Sequence, residues 1–349
     1  MPQPFLIFVP GILGTELWDA DGQMVWGGKL SALIDTLCFH PRALTRNTLR
    51  IGSVIEFISG IGTKPVYGKL LRLIRDRFGE TGFHAFPYDW RQTNVKSAEE
   101  LANFIRVKAA SGVERFSIIA HSMGGLVTRL ALHDPRNLDL LPRLSGYVQI
   151  ATPVWGSSKS YATLKRGPDF SGLFEWIVSQ IQWTSPRKLH DLLDSLGSCD
   201  AIFQLLPPPD EKMLRKESGS LASPFDTGVW STQYMPSIGR AKAIHAQIRM
   251  APPCKHYTIL SNDIDTDYGY EVDRDFNILK PLPQSGGDGT VCEHSAGAAS
   301  DRETLFILSR KLKHDELPND IEVFDTIVNS GWLGESMGPG RVASREGLR

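Results

Sequence analysis

The eight residues Ile118-Ile119-Ala120-His121-Ser122-Met123-Gly124-Gly125 constrain this chain more than any other stretch. An apolar run of strand character, Phe116–Ala120, stops at a serine. Met123–His133 then resumes with Met123, Leu126, Val127, Leu130 and Ala131 on one helical face. So tight a strand–serine–helix join forces the serine into strained backbone geometry, and the residues two positions away on each side must be small. Ala120 and Gly124 meet that demand, with Ala standing where Gly is commoner. Such a turn lifts the hydroxyl above a sheet and directs the helix N-terminus toward negative charge developing beside it. A chance match to these letters would lack the strand before and the helix after, so Ser122 is read as a nucleophile.

A serine nucleophile needs a base, and the base needs an orienting carboxylate; in this kind of site they follow in the chain order Ser, Asp or Glu, His. Gly286-Gly287-Asp288-Gly289-Thr290-Val291 places an acid in a glycine-rich loop that can turn sharply. Lys313-His314-Asp315-Glu316-Leu317 follows the apolar run Leu305–Leu308 and precedes a helical pattern, which puts His314 in the loop after the last strand. Asp288 and His314 are therefore the expected acid and base. Asp263 and Asp265, after the run Tyr257–Leu260, stand as alternative acids, and His294 as an alternative base. His121 adjoins the nucleophile, but its side chain leaves the elbow in another direction. His256 begins a strand and is read as structural. An oxyanion site needs two backbone donors. Met123, directly after the serine, supplies one, and Ile12 in Pro10-Gly11-Ile12-Leu13-Gly14, after the run Phe5–Val9, supplies the other.

Around these motifs, short apolar runs alternate with helical patterns: Phe5–Val9, a helix over Lys69–Phe78, a strand at His84–Phe86, and a helix over Ser97–Ala110. That helix carries a capping box formed by Ser97 and Glu100. A strand at Tyr147–Ala151, two further runs and a last helix over Asp320–Val328 complete the series. This order predicts an α/β fold with a mostly parallel sheet covered on both faces. The rhythm breaks between about Trp155 and Met250. The core is therefore assigned to residues 1–154 and 251–335, an inserted cap or lid to 155–250, and a mobile tail to 336–349.

Five segments in this order resemble the lecithin:cholesterol acyltransferase and lysosomal phospholipase A2 family, of the α/β-hydrolase superfamily. They are Val9–Gly14, Pro87-Tyr88-Asp89-Trp90-Arg91, Ala120–Gly125, Gly287–Val291 and the loop of His314. The resemblance implies an α/β-hydrolase fold. It maps the catalytic serine, aspartate and histidine onto Ser122, Asp288 and His314, and the oxyanion donors onto Ile12 and Met123. Thr152-Pro153 with Gly156-Ser157 matches a further family segment, read as scaffold, and Pro87–Arg91 is read as a loop anchor or a wall of the acyl site. Animal members are secreted or lysosomal, glycosylated and disulfide-bonded near the lid. Here Cys38 has no cysteine near it in sequence and no Asn-x-Ser/Thr occurs, so the likeness implies fold and chemistry but neither compartment nor lipoprotein partner.

The expected activity is that of a serine esterase on lipid or other acyl esters, working through an acyl-enzyme as a hydrolase. Acyl transfer to an alcohol is the alternative, and a catalytically silent binding module a second one. Trp155, Phe174 and Trp176 are the expected substrate contacts. The apolar stretch Phe170–Trp183 and the cluster Leu33, Ile34, Leu37 and Phe39 fit either a cap over the site or transient contact with a membrane interface. A formal net charge of -1 gives no field for nucleic acid. No His/Cys/Asp spacing suggests a metal, and no cofactor is expected. Cys38, Cys199, Cys254 and Cys292 are too scattered for a disulfide framework. With no basic segment ahead of Phe5–Val9 and no apolar run of about 18 residues, a cytoplasmic location is expected.

Overall fold

A computed structural model describes residues 4–60, 62–168, 186–282, 285–300 and 303–333. Six parallel strands form the central sheet: β1 (Phe5–Val9), β2 (Phe83–Ala85), β3 (Phe116–His121), β4 (Leu144–Ile150), β5 (His256–Ser261) and β6 (Leu305–Leu308). Their spatial order is β6-β5-β4-β3-β1-β2. The chain steps from β1 to one edge and then crosses back over β1 toward the other. The loops leaving the C-terminal ends of β1 and β3 therefore diverge and open a crevice between them, where open α/β sheets place their sites.

The strand sequences explain the layers. Side chains alternate across a strand, so a sheet covered on both faces needs unbroken apolar runs. In β1, Ile7 and Val9 enter one core while Leu6 and Phe8 enter the other, and all four are fully buried. The first core is closed by α2 (Asn94–Ala110), α3 (Met123–His133) and α6 (Met235–Ile248). The second is closed by α1 (Gly68–Phe78), through Leu70, Leu71, Ile74 and Phe78, and by α7 (Ile321–Asn329). Two further helices, α4 (Ser158–Arg166) and α5 (Pro186–Gly197), lie over the first core, and α5 packs on the helical turn Pro41–Thr45.

Helix α2 begins at Asn94 rather than Ser97. Thr93 supplies an earlier cap, its hydroxyl accepting from the Lys96 amide at 3.2 Å. Gln92 Nε2 donates to both Ser97 Oγ and Glu100, which removes the reciprocal box expected there. Helix α7 is capped by Asp320, which accepts from the Glu322 and Val323 amides.

Between β1 and α1 the chain builds small antiparallel units that its apolar pattern did not announce. Thr15–Trp18 pairs with Met24–Trp26 and with Arg50–Val54, and Phe57–Gly60 forms a hairpin with Gly62–Pro65. Later, Leu214–Lys216 pairs in parallel with Tyr270–Val272, tying residues 155–250 to the chain that follows them.

Candidate active site

Ser122 directly follows β3 at φ 53° and ψ -128°, a left-handed conformation that a non-glycine residue holds only under constraint. The constraint comes from both neighbours. The Ser122 amide donates to the Ile150 carbonyl of β4, and the Ser122 carbonyl accepts from Gly125, each at 2.9 Å. A Cβ on Gly124 would collide with the Val9 and Pro10 carbonyl oxygens, and one on Gly125 with the Thr152 side chain. The elbow therefore seats against the ends of β1 and β4 only because these two positions are glycine.

His314 Nε2 lies 2.9 Å from Ser122 Oγ, and its Nδ1 lies 2.7 Å from Asp288 Oδ2. The His314 amide also donates to the Asp288 carbonyl at 3.0 Å, so backbone and side chain both join the two loops. The second carboxylate oxygen, Oδ1, accepts from the Thr290 and Val291 amides at 2.9 and 2.7 Å. Gly289 makes that turn possible at φ 83° and donates to Thr266 Oγ1. Ser157 Oγ donates to the Thr290 carbonyl, so the Thr152–Ser157 segment braces the acid loop. Asp288 is 2% exposed and His314 14%, a nearly dry pair at the edge of a cavity.

The structure thus brings Ser122, Asp288 and His314 into one hydrogen-bonded line. With Nδ1 facing Asp288, neither Asp263 nor Asp265 holds that place. His294 packs instead against the rings of Trp155 and Tyr268.

Beside Ser122 runs the loop Pro10–Gly14. Its Gly11 comes so close that an added Cβ would stand 2.9 Å from the Ser122 Cβ, and Leu13 takes φ 65°. Ile12 lines the cavity. Met123 opens α3, where first-turn amides have no helical acceptor. Among the described residues, neither the Ile12 nor the Met123 amide donates to any acceptor. Pro87–Arg91 supports this loop. Tyr88 donates its hydroxyl to the Pro10 carbonyl at 2.8 Å, and Trp90 Nε1 donates to the Thr15 carbonyl at 3.2 Å. Arg91, clamped by Asp89, reaches the Leu44 and Arg46 carbonyls.

The cavity holds about 500 Å³ and is walled mainly by apolar side chains. Trp26, Leu33, Leu37, Leu44 and Trp90 come from the N-terminal half, and Leu196, Ile202 and Leu205 from the segment after α4. Lys64, Lys159 and Lys313 also line it. Lys64 pairs with Asp315 at 2.7 Å, joining the Gly62–Pro65 strand to the His314 loop. Burial would raise the Asp315 carboxyl, but the Lys64 hydrogen bond and charge outweigh it and hold it below the usual range. Trp155 is not among the lining residues. The Arg249 guanidinium sits 4.7 Å over its ring, and its amide donates to Ser295, which draws it from the cavity. Phe174 and Trp176 lie outside the described residues.

One part of the site was missed in the sequence. His121 Nδ1 lies 2.9 Å from the Tyr67 hydroxyl, and its Nε2 lies 3.1 Å from the His314 carbonyl. Tyr67, at the start of α1, carries no local signal of that role.

The strand order and the strained serine at the sheet's C-terminal rim define an α/β-hydrolase. Within that class the chain resembles the lecithin:cholesterol acyltransferase family, whose model matches residues 76–217. A relative, lecithin-cholesterol acyltransferase-like 4 of Arabidopsis thaliana, is 31% identical over 70% of this chain and 54% of its own length. The chain thus spans about half the length of that curated relative. In three dimensions it resembles a chain of the Tle4–Tli4 complex, with 15% identity, coverage of 92% of this chain and 96% of that one, and a TM-score of 0.55. The mature Bacillus licheniformis lipase BlEst2 is more distant, with 12% identity, 93% and 91% coverage and a TM-score of 0.43.

Proposed function

We propose that this protein is a serine esterase that cleaves lipid or other hydrophobic acyl esters through an acyl-enzyme on Ser122. One observation carries the reading: the bonded line Asp288–His314–Ser122 opens into a largely apolar cavity of about 500 Å³.

The steps follow from the proton positions. His314 Nε2 accepts the Ser122 proton as Oγ attacks the ester carbonyl, while Asp288 holds Nδ1–H and stabilises the imidazolium. The carbonyl oxygen takes the electron pair and is held by the Ile12 and Met123 amides. The tetrahedral adduct collapses, and Nε2–H passes to the departing alcohol. Water, deprotonated by His314, then releases the acid.

An alcohol in place of water would make the enzyme an acyltransferase. The family match supports keeping that second reading. Exposed Phe39 and Phe57 lie near Leu37 and Ile58, which line the cavity, and support brief contact with a lipid interface. No helix among the described residues is long and apolar enough to cross a membrane.

The test combines a fluorophosphonate probe with an ester panel of graded chain length, on wild type and Ser122→Ala. Labelling at Ser122 and hydrolysis lost in the variant are expected. Absence of labelling in folded protein would revive the silent binding module. Product analysis with a lipid alcohol present separates acid release from transfer.

A further inference from the structure

His121, next to the nucleophile, takes no part in the proton transfers above, yet both its ring nitrogens are engaged. A carbonyl oxygen can only accept, so the 3.1 Å contact with the His314 carbonyl places the proton on His121 Nε2. Burial, with the neighbouring His314 ring adding to it, holds the His121 imidazole well below the ordinary histidine range. It is therefore neutral, and Nδ1 is a bare acceptor. Tyr67 must then donate its hydroxyl to Nδ1 at 2.9 Å. The same Tyr67 oxygen accepts the Gly11 amide at 2.8 Å. Only one direction of donation satisfies every atom: Gly11 N–H to Tyr67 O, Tyr67 O–H to His121 Nδ1, His121 Nε2–H to the His314 carbonyl.

This line runs parallel to the Asp288–His314–Ser122 line and joins different elements. It begins in the loop carrying the Ile12 amide, passes through the start of α1 and the elbow, and ends on the backbone of His314 itself. Tyr67 is 3% exposed and His121 4%, so a lost partner is not replaced by solvent.

We propose that His121 and Tyr67 are positioning residues of the reacting centre, setting the register of the oxyanion loop against the His314 loop so that nucleophile, base and oxyanion donors meet in one geometry. The proposal rests on the reading of Ser122 and His314 as nucleophile and base. Both residues also line the cavity, but the Tyr67 hydroxyl and both His121 ring nitrogens are taken up within this line, so removing those bonds acts on turnover more than on substrate affinity. A misplacement of about 1 Å at a reacting centre lowers rate about 100-fold.

The test measures kcat and KM separately for a short p-nitrophenyl ester, alongside thermal unfolding. Four variants are compared: Tyr67→Phe, His121→Leu, His121→Gln and Ser122→Ala. A glutamine amide offers one acceptor and one donor at nearly the separation of the two imidazole nitrogens. Tyr67→Phe is expected to lower kcat about 10- to 100-fold with KM within about twofold. His121→Leu should lose at least as much, and His121→Gln should recover most of it. A merely space-filling histidine would be replaced equally well or badly by leucine and glutamine. Tyr67→Phe that folds and keeps kcat within about twofold of wild type overturns the proposal, as does a folded His121→Gln no faster than His121→Leu. Full activity in Ser122→Ala would instead sink the underlying reading, whatever the other variants do.

Discussion

The floor of the crevice and the segments that cover it are built on different physics. On the floor, every polar side-chain atom of His121, Ser122, Asp288 and His314 has a partner, and the partners sit on four separate segments: the start of α1, the elbow, the Asp288 loop and the His314 loop. Such bonds are directional, so they fix distances as well as order. In the cover, Leu196, Ile202 and Leu205 meet the cavity through apolar side chains, which fill space without dictating angle. Behind that wall, His245 of α6 is buried with neither ring nitrogen bonded, and Gln204 Nε2 is likewise without a partner among the described residues. The contrast predicts where failure is abrupt and where it is graded: loss of one bond on the floor is expected to abolish most activity, while changes in the cover are expected to trade fit and stability by degrees.

The sharpest way to break this comparison is Asp288→Asn. The Thr290 and Val291 amides still find an oxygen there, so folding is retained, but His314 loses the charge that sets its tautomer. A fall in kcat of about ten-thousand-fold on a soluble ester is expected. A variant within tenfold of wild type would show that the floor tolerates loss by degrees after all.

The cover is tested by acid. Burial depresses His245 to about 4 from 6.5, with the Arg249 charge adding to it. Between these values the unfolded chain binds a proton that the folded protein refuses, so stability falls as pH drops through that window. Urea unfolding at pH 7 and pH 4.5 should differ by about 2.4 kcal/mol from this residue, and His245→Phe should remove that share. An acid arm unchanged in the variant would clear His245 of the effect.

Gly124→Ala probes the floor's packing. Its methyl group meets two backbone carbonyls that cannot swing aside, and a loss of about 2 kcal/mol in urea unfolding is expected. Near-neutral stability would mean that the elbow is less closely seated than the contacts imply.

Leu196→Phe sharpens the cover's side with the smallest effect. It narrows the cavity wall without touching the floor. The ratio of kcat/KM for long over short acyl esters should fall about tenfold while the short ester is unaffected. Equal losses on both would move Leu196 into the floor's category.

The floor's geometry was legible in the sequence because its demands are local. Small residues beside Ser122 and glycines around Asp288 are marks that backbone geometry leaves on composition. The sheet was legible for the same reason, since strands buried on both faces must be apolar throughout, as Leu6–Val9 are. What stayed hidden depends on partners far apart in the chain. Tyr67 reaches His121 across 54 positions, and the two residues share no motif. Trp155 offered an aromatic ring in the right segment, and Arg249 claimed it. Thr15–Trp18 and Met24–Trp26 are too brief to show a two-residue period, and Arg50–Val54, Phe57–Gly60 and Gly62–Pro65 are both brief and largely exposed.

The double join between Asp288 and His314 has a dynamic consequence. Because the main chains and the side chains are bonded together, the acid and base loops cannot drift apart one contact at a time; they move as a single bracket. The Ser122–His314 bond extends from that bracket, so the resting protein already holds the three side chains in line.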